Sequence, residues 1–191
     1  MTVLISGFEP FLTSSGRMLP VNPTAGIASK VSEKLGLVES IVLPVSFEQT
    51  PKVLLEAFER IRPNRWLGLG YAENRKGVEV EVVALNVDHS RIQDNDGELR
   101  HLSPIIAEAP LALWAPFDYE ALVDTLSACG VPAKISTSAG TFLCNHVFFL
   151  GCWHAMQSNE LDEAIFIHVG NNVAELDLVD ALCHALSMGQ S

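Results

Sequence analysis

The chain has 191 residues, 48% of them hydrophobic and 18% charged, with a mean hydropathy of +0.25 and a formal net charge of −11. That length suits one domain over residues 1–191 with a substantial core, and no apolar run approaches the ~20 residues a membrane-spanning helix needs. A surface this acidic repels phosphate backbones, so neither a membrane nor a nucleic acid is an expected partner.

The amino terminus, Met1-Thr2-Val3-Leu4-Ile5-Ser6-Gly7-Phe8, lacks a basic region and a small-residue cleavage site. It reads as a first strand over residues 3–6 ended by Gly7, not as a targeting segment. Residues 24–35 carry Ile27, Val31 and Leu35 at helical spacing, with Asn22-Pro23 as cap and first turn. A strand is predicted over 39–45, a helix over 47–61 closed by Pro63, and a buried strand over 66–70. Residues 77–87 alternate, which puts Val78, Val80 and Val82 on one face and Glu79, Glu81 and Val83 on the other. The stretch 89–116 is the least regular, with a turn at Asp94-Asn95-Asp96-Gly97. Helices follow over 119–129, 143–156 and 173–188, with strands over 133–136 and 164–169.

Strands alternating with helices predict an α/β fold: a three-layer α/β/α sandwich around a mainly parallel twisted sheet. In such folds ligands sit beyond the carboxyl ends of strands. Two strand ends carry reactive side chains. Ser136-Thr137-Ser138-Ala139-Gly140-Thr141 leads into Phe142-Leu143-Cys144-Asn145-His146, which puts Cys144 near a helix amino terminus. The helix dipole there favours a thiolate, and free amides can stabilise an oxyanion. Ile165-Phe166-Ile167-His168-Val169 ends a second strand with an imidazole able to take the thiol proton. A third group would orient that ring. Glu79 and Glu81 share a face of an otherwise apolar strand, and alternation alone does not choose between them.

Other uses of these residue types fit less well. Cys144 with His146, and Cys152 with His154, stand two apart, and on a helix such side chains diverge by ~200°. No metal site is expected. Gly68-Leu69-Gly70 lacks the further glycine of a nucleotide fingerprint, so no cofactor is expected either. Four cysteines are few for a disulfide scaffold, which favours free thiols in a reducing cytoplasm.

These residues resemble the pyroglutamyl peptidase I (pyrrolidone carboxyl peptidase) family. The resemblance runs through Ser6-Gly7-Phe8-Glu9-Pro10-Phe11, Asn22-Pro23-Thr24, Leu43-Pro44-Val45-Ser46-Phe47 and Gly68-Leu69-Gly70. It continues through Arg75, Glu81, Ala84, Asn86 and Arg91-Ile92-Gln93-Asp94-Asn95-Asp96-Gly97. Its most specific piece is Ser138-Ala139-Gly140-Thr141-Phe142-Leu143-Cys144-Asn145-His146, and Phe166-Ile167-His168-Val169 completes it. The resemblance implies an α/β/α cysteine exopeptidase that removes an amino-terminal pyroglutamyl residue from a peptide substrate and assembles as a homodimer or homotetramer. It puts Cys144 on the nucleophile, His168 on the general base and Glu81 on the third member. It also puts Arg91 on an arginine near the nucleophile that helps stabilise charge, Phe8 and Phe11 on aromatic walls of the lactam pocket, and Phe142 and Leu143 beside the nucleophile. Departures fall mainly at the pocket wall: Tyr71 replaces a glutamine that takes part in ring recognition, and a longer loop runs from Leu12 towards Val21. Glu73-Asn74, Val82 and Gly170 differ as well. The departures leave two alternatives open: a cysteine amidase for another lactam or amino-terminal group, and a non-catalytic lactam-binding homologue.

Overall fold

The computed structural model describes residues 2–13, 18–36 and 38–188. Strand β1 (Val3–Phe8) is buried along its whole length, as an aliphatic run covered on both faces should be. It extends two residues beyond the expected stop. Gly7 stays in the ladder, and a Cβ there would lie 2.4 Å from the Thr24 carbonyl group, so the glycine marks a close approach of helix and strand, not a turn. Short strands β2 (Phe11–Leu12) and β3 (Met18–Leu19) pair antiparallel. Residues 14–17 of the longer loop that runs from Leu12 towards Val21 lie outside the described residues.

Helix α1 (Pro23–Leu35) begins as its cap signal predicts: Asn22 accepts a hydrogen bond from the Thr24 amide, with Pro23 in the first turn. After β4 (Val38–Leu43), helix α2 (Gln49–Ile61) starts two residues later than expected. Residues 47 and 48 form a turn in which the Ser46 hydroxyl accepts from the Gln49 amide. Strand β5 (Arg65–Ala72) follows.

The alternating stretch at 77–87 is not one strand. It divides into β6 (Val78–Glu81) and β7 (Val83–Leu85), and β7 leaves the main sheet to pair with β8 (Ala112–Trp114). Val82 is the switch point, its amide donating to the Ser136 carbonyl while its own carbonyl accepts from Ala115. The chain then runs through α3 (Tyr119–Ala128), β9 (Ala133–Ser136), α4 (Leu143–Gln157), β10 (Glu163–Gly170) and α5 (Glu175–Met188).

The six-stranded sheet has the order β4-β1-β5-β10-β6-β9. Every neighbouring pair is parallel except β10 with β6. One face packs Leu4, Trp66, Ala164 and Phe166 against residues of α2 and α4, such as Leu54, Phe58 and Phe148. The other packs Ile5, Leu67, Val80 and Ile167 against α1, α3 and α5 through residues such as Val31, Leu126 and Leu182. The result is the three-layer sandwich, with buried strands that account for the high hydropathy.

The irregular segment after β7 is firmly fastened. Buried Asp88 pairs with His146 Nδ1 (2.9 Å) and Arg100 (2.7 Å), and Asp94 accepts from the amides of Phe47, Asp96 and Glu98. Asn145 on α4 accepts from the Leu85 amide and donates to the Leu85 and Val87 carbonyls. The Asp88 and Asn145 bonds attach the segment to the beginning of α4, and the Asp94–Phe47 bond attaches it to the turn before α2.

Candidate active site

Strand parity puts the reactive groups on the α4 side of the sheet. His168 shares a face of β10 with Ala164 and Phe166, whereas Ile165, Ile167 and Val169 face the other layer. In the antiparallel β10–β6 ladder, His168 lies directly opposite Glu79 and Phe166 opposite Glu81. Glu81 is therefore the diagonal neighbour of His168, within reach of a long side chain. It is Glu81 that makes the bond: its Oε1 lies 2.7 Å from His168 Nδ1. Glu79 turns instead to Arg75 and Lys134.

Cys144 is the second residue of α4, whose amino-terminal cap, Phe142, makes no side-chain hydrogen bond. The first-turn amides accordingly lack intrahelical partners. Cys144 Sγ and the His168 ring converge over Gly70; with Nδ1 taken by Glu81, Nε2 is the ring nitrogen left to face the sulfur. Gly70, paired in register with His168, makes the contact possible. A Cβ at position 70 would sit 2.8 Å from Cys144 Sγ and 3.0 Å from His168 Cδ2. Gly68 has the same role two residues earlier on β5, since a Cβ there would meet the Phe166 and Trp66 rings. The Gly68-Leu69-Gly70 pattern thus serves close packing beneath α4.

Glu81 is fully buried and His168 is 5% exposed. Burial alone would raise the Glu81 carboxyl, but the hydrogen bond and charge of His168, the Ser136 hydroxyl and Arg75 outweigh it and hold the group below the usual carboxylate range. Ser136 faces Glu81 in register on β9, and Glu81 Oε2 is buried with no hydrogen-bond partner among the described residues. Burial would likewise lower His168. The charge and hydrogen bond of Cys144, with the bond to Glu81, reverse that and raise the imidazole to about 9. Elsewhere in the core, burial pushes the Cys152 thiol up.

Beside Cys144 opens a cavity of about 80 Å³, far below the ~300–1,000 Å³ of pockets for drug-sized ligands. It suits one small ring. Phe8, Phe11, Phe142, Leu143 and Tyr71, each singled out in the sequence, line it together with Val45 and Asn22. Asn22 is already committed to the Glu9 carbonyl and to Thr24, which leaves Tyr71 as the polar side chain at the wall. Arg91 is not brought to the centre. It is exposed in the segment after β7, and no hydrogen bond or ion pair joins it to Cys144, His168 or Glu81 among the described residues. The arginine that touches the cluster is Arg75, whose Nη1 lies 2.6 Å from Glu81 Oε1. In the sequence, Arg75 stands out only by its spacing in the resemblance.

Comparison with known proteins bears on the family and the fold. The family model for pyroglutamyl peptidase matches residues 1–179. The pyrrolidone-carboxylate peptidase of Bacillus cereus (strain Q1) is 36% identical over 172 residues, spanning 88% of this chain and 77% of that protein. The corresponding Bacillus mycoides protein is 34% identical over the same shares. Among solved structures, a mutant pyrrolidone carboxyl peptidase from the hyperthermophile Pyrococcus furiosus superposes with a TM-score of 0.89 at 30% identity, over 98% of this chain and 97% of that one. Fold and matches together define a cysteine peptidase of the pyroglutamyl-peptidase I type. The chain belongs to the pyroglutamyl peptidase family.

Proposed function

We propose that the enzyme hydrolyses the amide bond after an amino-terminal pyroglutamyl residue of a peptide, with Cys144 as nucleophile, His168 as acid and base, and Glu81 as the group that orients and stabilises the imidazolium. The observation that carries this reading is the convergence of Cys144 Sγ and the His168 ring over Gly70, with Glu81 bonded to the far side of that ring and a small apolar cavity beside the sulfur. The pyroglutamyl ring has no amino-terminal charge, so its pocket needs apolar walls and few polar groups. Phe8, Phe11, Phe142 and Leu143 supply the walls, and Tyr71 offers a hydroxyl to the ring amide. Open-chain amino termini are rejected because their ammonium group would be desolvated without a partner.

The Cys144 thiolate adds to the pyroglutamyl carbonyl carbon, and the first-turn amides of α4 receive the developing oxyanion. Collapse breaks the C–N bond, His168 Nε2 gives its proton to the leaving amine, and a thioester remains on Cys144. Water then adds to the thioester carbonyl, losing a proton to His168, and pyroglutamate leaves. The Cys144 thiolate and the His168 imidazolium are restored. Arg91, exposed on its loop, is assigned to charge stabilisation only if substrate draws that loop inward.

Tyr71 in the wall favours one second reading, a cysteine amidase for a different lactam. Turnover of a pyroglutamyl-coumarin amide that is abolished by Cys144→Ala supports the first reading. Alkylation confined to Cys144 with no turnover of that amide supports the second. A single domain, homodimeric or homotetrameric assembly and a cytoplasmic location belong to the same proposal. All four cysteines are free, and among the described residues no helix is long and apolar enough to cross a membrane. Sedimentation equilibrium tests the assembly.

A further inference from the structure

Arg75 joins three regions of the site that are distant in sequence. Its Nη1 donates to Glu81 Oε1 at 2.6 Å, the same oxygen that takes the His168 Nδ1 bond. It also pairs with Glu79. Its Nη2 donates at 2.8 Å to the Ser138 carbonyl, in the turn that leads into Cys144. Its backbone is fixed on the other side of the site: the Arg75 carbonyl accepts from the Asn171 amide just beyond His168, and the Gly77 amide donates to Asn172 Oδ1 at 2.8 Å. Gly170 admits this contact, since a Cβ there would lie 2.6 Å from the Arg75 carbonyl oxygen.

The charges around Arg75 explain why a cation belongs there. Glu79 and Glu81 project from the same face of β6, so two carboxylates compete for one imidazolium. Lys134, across from Glu79 in register, pairs with its Oε1 at 2.9 Å. Arg75 stands between the two acids and reaches both. Oε2 of Glu81 has no hydrogen-bond partner among the described residues, and the bonds from His168 and Arg75 both fall on Oε1.

We infer that Arg75 is a positioning residue for the reaction: its guanidinium holds the Glu81 carboxylate on His168 while tying the same carboxylate to the nucleophile turn at Ser138. The inference rests on the proposed roles of Cys144, His168 and Glu81. Arg75 is not among the residues that line the cavity, and among the described residues no hydrogen bond joins it to Cys144, so it acts through Glu81 and not on substrate. A planar, two-pronged donor is needed, because one amino group must reach a side-chain carboxylate and the other a backbone carbonyl. Lysine, with a single point of charge, can satisfy only one of them.

The test is steady-state kinetics of Arg75→Ala and Arg75→Lys on a pyroglutamyl-coumarin amide, with and without millimolar guanidinium. Arg75→Ala is expected to lose roughly 10²-fold in kcat, the scale of a small misplacement of a catalytic group, with KM nearly unchanged. Guanidinium should restore some of that loss and equimolar urea none. Both limbs of the kcat/KM profile should move to higher pH, because the arginine charge favours ionised Glu81 and opposes protonated His168. Arg75→Lys should fall between parent and Arg75→Ala. In a Glu81→Gln background, Arg75→Ala should cost little more. The inference is overturned if kcat stays within twofold of the parent, if the loss lies in KM, or if guanidinium leaves a folded Arg75→Ala protein unrescued. It is also overturned if the two substitutions multiply. Failure of the underlying triad would show separately, as undiminished turnover in Cys144→Ala.

Discussion

At the scale of single residues, Glu81 and Gly70 show how little separates an active arrangement from an inert one. Glu79 and Glu81 lie two positions apart on one face, yet only Glu81 reaches His168. Glu81→Gln is expected to lower kcat/KM by roughly 10²–10⁴-fold, the range for loss of a group that sets an acid–base residue. Glu79→Gln should cost less than about fivefold, and equal losses measured on the same substrate would contradict the assignment. Gly70→Ala should reduce kcat by more than about 10²-fold, because the added methyl would meet Cys144 Sγ at 2.8 Å. Near-parent turnover would show that the sulfur and imidazole tolerate displacement. Local chemistry in the sequence is enough to point to Cys144 at a helix start and His168 at a strand end. It does not choose the carboxylate, because the register of β6 against β10 is a long-range property. Arg75 is inconspicuous for the same reason: its importance comes from Ser138 and Glu81 arriving beside it.

At the scale of elements, α4 does two jobs that its sequence displays unequally. Its amino-terminal turn presents Cys144. Its next residue, Asn145, holds the strand that leaves the sheet after Val82, through three hydrogen bonds to Leu85 and Val87. Asn145 is completely buried, and its loss strands those backbone groups away from water. Asn145→Ala should therefore destabilise the protein by about 2–3 kcal/mol, lowering Tm by roughly 5–10 °C. Calorimetry showing no change would mean that water or another side chain replaces the amide. The division of residues 77–87 into β6 and β7 cannot be read from sequence, because the apolar pattern continues unbroken through Val82 and Val83. What divides them is the exchange of partners at Val82, from β9 on one side to Ala115 on the other. By contrast α1 is readable to within a residue, since Asn22-Pro23 caps it locally and Gly36 ends it with φ 63.

Across the whole molecule, the buried charges make folding depend on pH in a definite direction. Glu81 is held below its ordinary value of 4.5, so its contribution to stability is present above that pH and is lost as pH falls through the lower folded value. His168 is raised from 6.5 to about 9, so its own contribution is full below 6.5 and is lost as pH rises through about 9. Denaturant midpoints below pH 4.5 should fall less steeply for Glu81→Gln than for the parent. Parallel curves would remove Glu81 from the acid response. NMR titration should find the His168 ring protonated above neutrality, with its midpoint lowered in Cys144→Ala, since the sulfur's charge is the foremost influence raising it. The layered architecture is legible from alternating apolar strands and helices. The antiparallel entry of β6 beside β10 is not, and it is this reversal that brings Glu81 to the imidazole.

The most direct test of the central claim is burst kinetics on a pyroglutamyl ester or coumarin amide, followed by mass spectrometry of the quenched enzyme. The account predicts a pyroglutamyl adduct on Cys144, absent in Cys144→Ala, which should also lose turnover by several orders of magnitude. Turnover that survives Cys144→Ala, or an acyl group found on another residue, would contradict it.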